Sequence, residues 1–399
     1  MIRKSVVGIV AVIAIVLGGV VVSTPAGAVV DSAVVVPSPN AGTMEDRLFS
    51  VSCASATQCV AVGYGFSGSA TETSVMVWNG TVWSVMSSPN VGTAIDQLFS
   101  VSCVSATQCV AVGSTYTGSA HETLAMVWNG TVWSIVPSPN AGTTEDQLFS
   151  VSCVSATQCV AVGSTVTGSA TETLAMVWNG TVWSVVSSPN VGIADSLESV
   201  SCVSASDCVA VGSTYDGSIG ETLAMVWNGT VWSVVSSPNV GVADFLESVS
   251  CVSASDCVAV GTSISGSILE TLVMVWDGSV WSIVSSPNAG TVDDQLFSVS
   301  CVSASECVAV GSTFTGSAEE TLVMVWDGSA WSIVSSPNPS TIDNALYSVA
   351  CLGISECVAV GYRFSDSVTE TLVVSLTGPV PPSTTTTASS QPVAPAFTG

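Results

Sequence analysis

Short apolar runs rich in Val, Thr and aromatic residues alternate with Ser, Gly, Asn and Pro along most of the chain, and four such runs recur as a group. In one copy they are Leu98–Cys103, Cys109–Gly113, Thr123–Trp128 and Thr131–Val136. Runs of this composition bounded by turn-forming residues predict strands. Between the third and fourth runs stand Asn129-Gly130, and the same place holds Asn79-Gly80, Asn179-Gly180, Asn228-Gly229, Asp277-Gly278 and Asp327-Gly328. Such dipeptides favour two-residue hairpin turns with positive backbone angles. Pairing Trp128 with Thr131 across the turn would put Met126, Trp128, Thr131 and Trp133 on one face, and Val127 and Val132 on the other.

Cysteines give the group its period. Cys53/Cys59, Cys103/Cys109, Cys153/Cys159, Cys202/Cys208, Cys251/Cys257, Cys301/Cys307 and Cys351/Cys357 recur every 49 or 50 positions, so the chain holds seven copies of one unit. A period of this length with several strands per unit points to a propeller or a stacked array. The seventh copy ends at Thr371–Gly378 without a fourth run, whereas Asp31–Asn40 (DSAVVVPSPN), ahead of the first copy, aligns with the fourth-run sequence Thr131–Asn140 (TVWSIVPSPN). The expectation is an all-β, seven-bladed β-propeller of four-stranded antiparallel blades, closed by an N-terminal strand that completes the last blade. The twelve tryptophans, two in each of six units, are expected to pack between neighbouring sheets.

Three segments follow. Residues 1–28 carry Arg3 and Lys4, an apolar run from Val6 to Val22 and an Ala26-Gly27-Ala28 cleavage site, the pattern of a signal peptide. Residues 29–378 form the propeller, and 379–399 change to a Pro/Thr/Ser-rich tail that cannot build a core. Export places the cysteines in an oxidising compartment, where regular pairs read as disulfides. Each would close a loop of about 7 residues and stabilise by roughly 2 kcal/mol. The bridges thus read as local staples, one per unit, that do not lock the units together. A zinc site needs Cys or His in sets of four, and His121 is the only histidine.

Charge narrows the partners. The net formal charge is −25, and beyond the leader the only basic residues are Arg47 and Arg363. Nucleic acid and anionic membrane surfaces are excluded, because both require clustered Lys and Arg. The expected protein is a monomer that touches a membrane only through its leader.

The repeated SCxSxxxCxAVG and WNGxxWS elements, as in Ser102–Gly113 and Trp128–Ser134, resemble those of secreted β-propeller repeat proteins of actinobacteria over residues 31–378. The resemblance implies fold and export more than activity. The turn Asn79–Trp83 also resembles a degenerate Asp-box, with Gly-x-x-Trp kept and the Asp two residues before Gly absent. Kelch repeats are a looser likeness, without their paired glycines. Pro395–Gly399 is similar to the start of a sortase signal, which implies attachment to a cell wall.

Candidate ligand groups lie on the face expected to carry the longer loops. A glutamate recurs in every unit: Glu72, Glu122, Glu172, Glu221, Glu270, Glu320 and Glu370. An aspartate precedes the first cysteine by seven positions in six units (Asp46, Asp96, Asp146, Asp195, Asp244, Asp294), with Asn344 in the seventh. These acids either accept hydrogen bonds within their own loops or hold a cation, calcium being the one such a set would suit. No other cofactor and no metal site is expected. Phe66, Tyr116, Tyr215, Phe314 and Phe364, with Val166 and Ile264, occupy one equivalent position assigned to the loop after the second strand, where they either anchor the loop or stack on sugars. His121 reads as a solvated loop residue. No catalytic residue stands out, since near-identical blades offer no asymmetric constellation. The functional expectation is therefore a secreted or cell-surface, non-enzymatic scaffold binding a protein or glycan. The alternative is a carbohydrate-active enzyme, a glycoside hydrolase or lyase, working through carboxylates. Thiol titration of the unreduced protein should find almost no reactive cysteine; two thiols per unit would sink the disulfide reading.

Overall fold

The structure, a computed structural model, describes residues 30, 32–92, 94–290 and 292–378. The leader and the tail lie outside the described residues. Twenty-eight strands, numbered β1–β28 in chain order, and no helix occur among them. The first unit is the antiparallel meander β2 (Glu45–Ser55), β3 (Gln58–Phe66), β4 (Thr71–Trp78) and β5 (Trp83–Met86). The same pairings repeat through the chain. In the last unit β26 (Asp343–Gly353), β27 (Glu356–Ser365) and β28 (Val368–Thr377) pair in order, and β1 (Ser32–Val35) lies antiparallel against β28. The segment after β1 also takes its expected place. Asn40 Oδ1 accepts from Thr371 N at 2.9 Å, and Ser38 Oγ meets Thr371 Oγ1 at 2.8 Å. Ser88 and Asn90 serve Thr73 in the same way inside the first unit.

The apolar core is distributed between units. Val110, Val112 and Ala125 of the second unit pack on Leu148, Val151, Leu174, Met176 and Trp183 of the third. Leu48, Val51, Met76 and Trp83 of the first pack on Val360 and Val373 of the seventh. Burying each large side chain stabilises by about 1.5–3 kcal/mol, and here that gain requires a neighbouring unit. The tryptophans belong to these inter-unit clusters, as expected: Trp83, Trp133, Trp183, Trp232, Trp281 and Trp331 are buried.

All seven cysteine pairs are bridged: Cys53 with Cys59, Cys103 with Cys109, Cys153 with Cys159, Cys202 with Cys208, Cys251 with Cys257, Cys301 with Cys307, and Cys351 with Cys357. Each joins directly opposed residues of the first two strands of a unit, with Cα atoms about 4 Å apart. The bridges are staples within one unit, as expected, and their sulfurs also have a packing role that the spacing did not suggest. The first cysteine of each pair is half-buried, but the second, Cys59, Cys109, Cys159, Cys208, Cys257, Cys307 or Cys357, is buried. These sulfurs sit in the clusters between units. Cys208 shares one with Val160 and Val162, Cys257 with Val209 and Val211, Cys307 with Val258 and Val260, and Cys357 with Val308 and Val310. The covalent link is local, whereas the apolar surface it holds in place serves the preceding unit. The physical reason is alternation along the second strand, which turns the second cysteine to the packed side of the sheet.

The Asn-Gly hairpin takes a different register from the expected one. Trp128 lies opposite Trp133, and Trp78 opposite Trp83, so the connection is a four-residue loop and Thr131 and Val132 leave the sheet. The Asn side chain explains the difference. Asn79 Oδ1 accepts from Thr81 N and Val82 N, both at 3.0 Å, and thereby caps a wider turn. Only Gly80 adopts a positive φ, +93°, where a two-residue type I′ turn requires two. The two tryptophan rings consequently face each other with centroids 5.7 Å apart.

Two-residue turns occur elsewhere. In the seventh unit Ser365 pairs with Val368 across Asp366 and Ser367, both at positive φ. The second strands also run further than the sequence suggests. Phe66 and Tyr116 are the last residues of β3 and of β7 (Gln108–Tyr116), not loop residues. His121, expected in a solvated loop, opens β8 (His121–Trp128), half-buried, with its ring 5.0 Å from that of Tyr116.

Inner strands β2, β6 (Ile95–Ser105), β10 (Asp146–Ser155), β14 (Ala194–Ser204), β18 (Ala243–Ser253), β22 (Asp293–Ser303) and β26 pack side by side, β26 against β2 included. Each carries a serine whose hydroxyl accepts a backbone N–H of the next strand. Val101 N donates to Ser50 Oγ at 3.1 Å, Val151 N to Ser100 Oγ at 3.1 Å, and Val51 N to Ser348 Oγ at 3.2 Å across the first and last units. A second row links Cys103 N to Ser52 Oγ and recurs up to Cys351 N with Ser300 Oγ. It lapses only where Ala350 stands in place of the serine that would meet Cys53 N. Ala350→Ser should therefore raise stability by about 0.5–1.5 kcal/mol and Ser348→Ala lower it by about 1–3 kcal/mol, read as urea midpoints. Unchanged midpoints for both would remove the serine rows from the account of stability.

Candidate functional site

Each inner strand is broken by a bulge. Ladder pairing of β2 with β3 skips from Leu48 to Ser50, leaving Phe49 unpaired. The bulge presses backbone against the glycine of the CxAVG element: a Cβ on Gly63 would fall 1.8 Å from Arg47 O, so only glycine fits. All seven units share this geometry, which sets one residue apart in each: Phe49, Phe99, Phe149, Glu198, Glu247, Phe297 and Tyr347. Each is half-buried, whereas Leu48 and its counterparts are fully buried. The aromatic members touch in sequence. Ring centroids are 5.4 Å apart for Phe297–Tyr347, 5.5 Å for Tyr347–Phe49, 5.7 Å for Phe49–Phe99 and 5.8 Å for Phe99–Phe149.

The repeat is broken twice at this level. At the junction of the seventh and first units Arg47 Nε pairs with Glu45 Oε1 at 2.9 Å. Its guanidinium donates to Tyr347 OH at 3.3 Å and lies 4.4 Å from the Tyr362 ring centroid. Tyr64 OH donates to Glu45 at 2.6 Å, and Tyr362 OH to Glu319 at 2.9 Å. Burial first, and then the Glu45 carboxylate, raise the Tyr64 hydroxyl far above its usual range.

The second break is in the fourth and fifth units, where glutamates replace the rings. Ser196 Oγ donates to Glu198 Oε1 at 2.5 Å, while Phe245 takes the place of that serine beside Glu247. Burial raises the Glu198 carboxyl, against the Ser196 hydrogen bond. Burial pushes Glu247 up to about 7, and the neighbouring Glu198 charge adds to it. The same two units hold a cleft of about 460 Å³ lined by Ser196, Tyr215, Ile219 and Phe245. It depends on Gly220, whose Cβ would come within 2.9 Å of the Phe245 ring. Sequence reading found no carboxylate pair singled out from the repeats. The signal was present, as Glu in two copies at a position that is aromatic in the other five.

The sequence-predicted acids are not brought together. Among the described residues no three His, Cys, Asp or Glu side chains form a group that could hold a metal ion. The recurring aspartates are buried under their own loops. Asp46 Oδ1 accepts from Ala41 N at 2.8 Å and Gly42 N at 2.7 Å, and Asp244 accepts from Val240 N and Gly241 N. The exception in the seventh unit has a local cause. Pro339 offers no N–H, and Asn344 instead accepts from Ser340 N and donates back to Ser340 O.

Glu72, Glu122, Glu172, Glu221, Glu270, Glu320 and Glu370 stand near the start of each third strand, one per unit. Three of them lie near the asparagine that follows the fourth strand, as Asn288 Nδ2 does to Glu270 at 3.3 Å; Glu370 also pairs with Arg363 at 2.8 Å. Of the aromatic set, Phe66, Tyr116 and Phe364 are half-buried, and Tyr215 and Phe314 are exposed. Grooves of about 390, 380 and 450 Å³ repeat between units beside the bridged cysteine turns, each floored by a tryptophan.

No known family model matches the chain, and no curated protein is similar to it in sequence. Its fold is similar to that of solved β-propeller proteins. One is described as YCF48 bound to D1 peptide, with 11% identity, a TM-score of 0.55, and coverage of 88% of this chain and 96% of that one. Another is YCF48 from Cyanidioschyzon merolae, with 14% identity, a TM-score of 0.54, and coverage of 86% and 98%. At these identities the likeness is one of fold.

The glutamate pair makes stability depend on pH. The folded chain keeps a proton on Glu247 up to about 7, whereas the unfolded chain releases it near 4.5. The folded state therefore binds more protons between these values, and stability falls as pH rises through that window and levels above it. Glu247→Gln should flatten this part of the urea-midpoint profile and be more stable than the parent at pH 8; parallel profiles would show that the pair carries no such proton.

Proposed function

We propose that the chain is a seven-bladed β-propeller closed by its N-terminal strand, working outside the cytoplasm as a non-enzymatic scaffold for a protein partner. Closure is supported by β1 against β28, by β26 against β2, and by the Val51–Ser348 hydrogen bond. Bridged cysteines fit an oxidising compartment, as does the leader at residues 1–28, and the tail at 379–399 would tether the ring to a wall. The observation that carries the binding reading is where the copies diverge. The framework repeats nearly unchanged, while the half-buried bulge residue differs between units: Phe at 49, 99, 149 and 297, Tyr at 347 and Glu at 198 and 247. A partly exposed position that varies on a constant scaffold is how a repeat fold acquires a partner. A neighbour in fold is described as bound to a peptide, which fits the same use. Glycan is the rival ligand, through exposed Tyr215 and Phe314 with Phe66, Tyr116 and Phe364, or through the seven glutamates from Glu72 to Glu370.

The Glu198–Glu247 pair gives specific support to a second reading, a carbohydrate-active enzyme. Adjacent carboxyls, one held protonated toward neutral pH, can act as acid and base on a glycosidic bond. Peptide and glycan arrays with purified protein discriminate the two. Saturable binding without product is expected; turnover of a glycan that Glu198→Gln or Glu247→Gln abolishes would overturn the scaffold in favour of the enzyme.

A further inference from the structure

We propose that the seven bulge residues form a collar that binds an organic cation, a primary ammonium, between Glu198 and Glu247 on one side and the aromatic arc from Phe297 through Tyr347, Phe49 and Phe99 to Phe149 on the other. This rests on the closed-ring reading above, which brings the two ends of the row together around one axis.

Four features converge on it. Each collar residue is half-buried, although the leucine before it is fully buried, so the bulges hold seven side chains out of the core. Five of them are aromatic rings in consecutive contact, and ring faces attract cations. The remaining two are neighbouring carboxyls with no cation of their own. Arg47 and Arg363, the basic residues of the described chain, are engaged with Glu45 and Glu370. Finally, Glu247 has no hydrogen-bond donor among the described residues, since Phe245 stands where Ser196 serves Glu198. Two neighbouring, half-buried carboxyls without a counter-ion cost stability, and a cation that enters between them recovers it.

The geometry favours an organic cation over a metal. Calcium takes six to eight oxygen ligands, and here two carboxyls are flanked by rings that supply none. An ammonium needs only two or three acceptors and gains from ring faces. The long-range field of a chain with net charge −25 draws the same sign of ligand toward the opening.

The test is calorimetric titration of the full chain with butylammonium and with a blocked lysine amide, using sodium and calcium as controls. One saturable site is expected for both amines. The Glu198→Gln/Glu247→Gln double variant should weaken it at least tenfold while keeping its melting cooperativity, and Phe99→Leu should weaken it several-fold with the carboxyls intact. Tighter binding of the lysine amide assigns the site to a protein side chain, and tighter butylammonium to a free amine; either order supports the collar. Equal affinity in the double variant, preference for calcium, or no binding of either amine overturns it. An array partner that the double variant still binds would sink this site and leave the scaffold reading standing.

Discussion

Inner strands that run side by side without pairing as a sheet leave a column of backbone N–H groups to be satisfied, and everything else in this fold depends on how that is done. Serine is the answer at Ser50 and Ser52 and at their counterparts, whose hydroxyls accept the N–H of Val101 and Cys103 in the next unit. A hydroxyl reaches further than a carbonyl ladder would, so the strands can splay and still be joined. That spacing admits the large side chains of the inter-unit clusters, with Leu148 and Trp183 against Val110 and Val112 as one instance. A paired ladder would draw the strands to within about 5 Å and leave no room for them.

The bulge is the second consequence. It bends each inner strand where Gly63 and its counterparts admit the opposing backbone, and it turns one residue per unit away from the sheet. Framework and surface are thereby decoupled. Leu48 and Ser50 cannot change without cost to packing or hydrogen bonding, but the residue between them can. The copies bear this out: Phe, Glu and Tyr all occupy that place, between a Leu and a Ser that never vary.

Much of this architecture was legible from the residues alone, because repetition multiplies weak signals. The four strands, the cysteine pairing and the assignment of Asp31–Asn40 to the last unit all follow from alignment of copies. The packing of the second cysteines did not, since spacing shows which sulfurs can join but not which side of the sheet they take. Hairpin register was equally hidden: Asn-Gly serves two turn geometries, and the choice rests on Asn79 Oδ1 capping two N–H groups. The role of the aspartates was legible as one of two alternatives, and Asp46 and Asp244 take the one in which the carboxylate accepts backbone N–H groups of its own loop. The aromatic positions fell one strand end away from their expected loop, within the error inherent in strand boundaries. Most instructive is the acid pair at Glu198 and Glu247. What the copies share builds the framework, while Glu198 and Glu247 sit where the copies disagree.

Pairing β1 with β28 has a consequence for the order of events in making the protein. The ribosome delivers β1 first and its partner more than three hundred residues later, so Val34 waits for Ser375 while every other unit is built. During that wait the first unit presents Leu48, Met76 and Trp83 with nothing to cover them, because their partners Val360 and Val373 belong to the last unit. Such separation slows folding and exposes apolar surface in the interval. The seven short disulfides ease this, as each closes within its own hairpin and can form before the ends meet. Local covalent closure in every unit thus holds the hairpins ready for the meeting of the two ends, which synthesis necessarily places last.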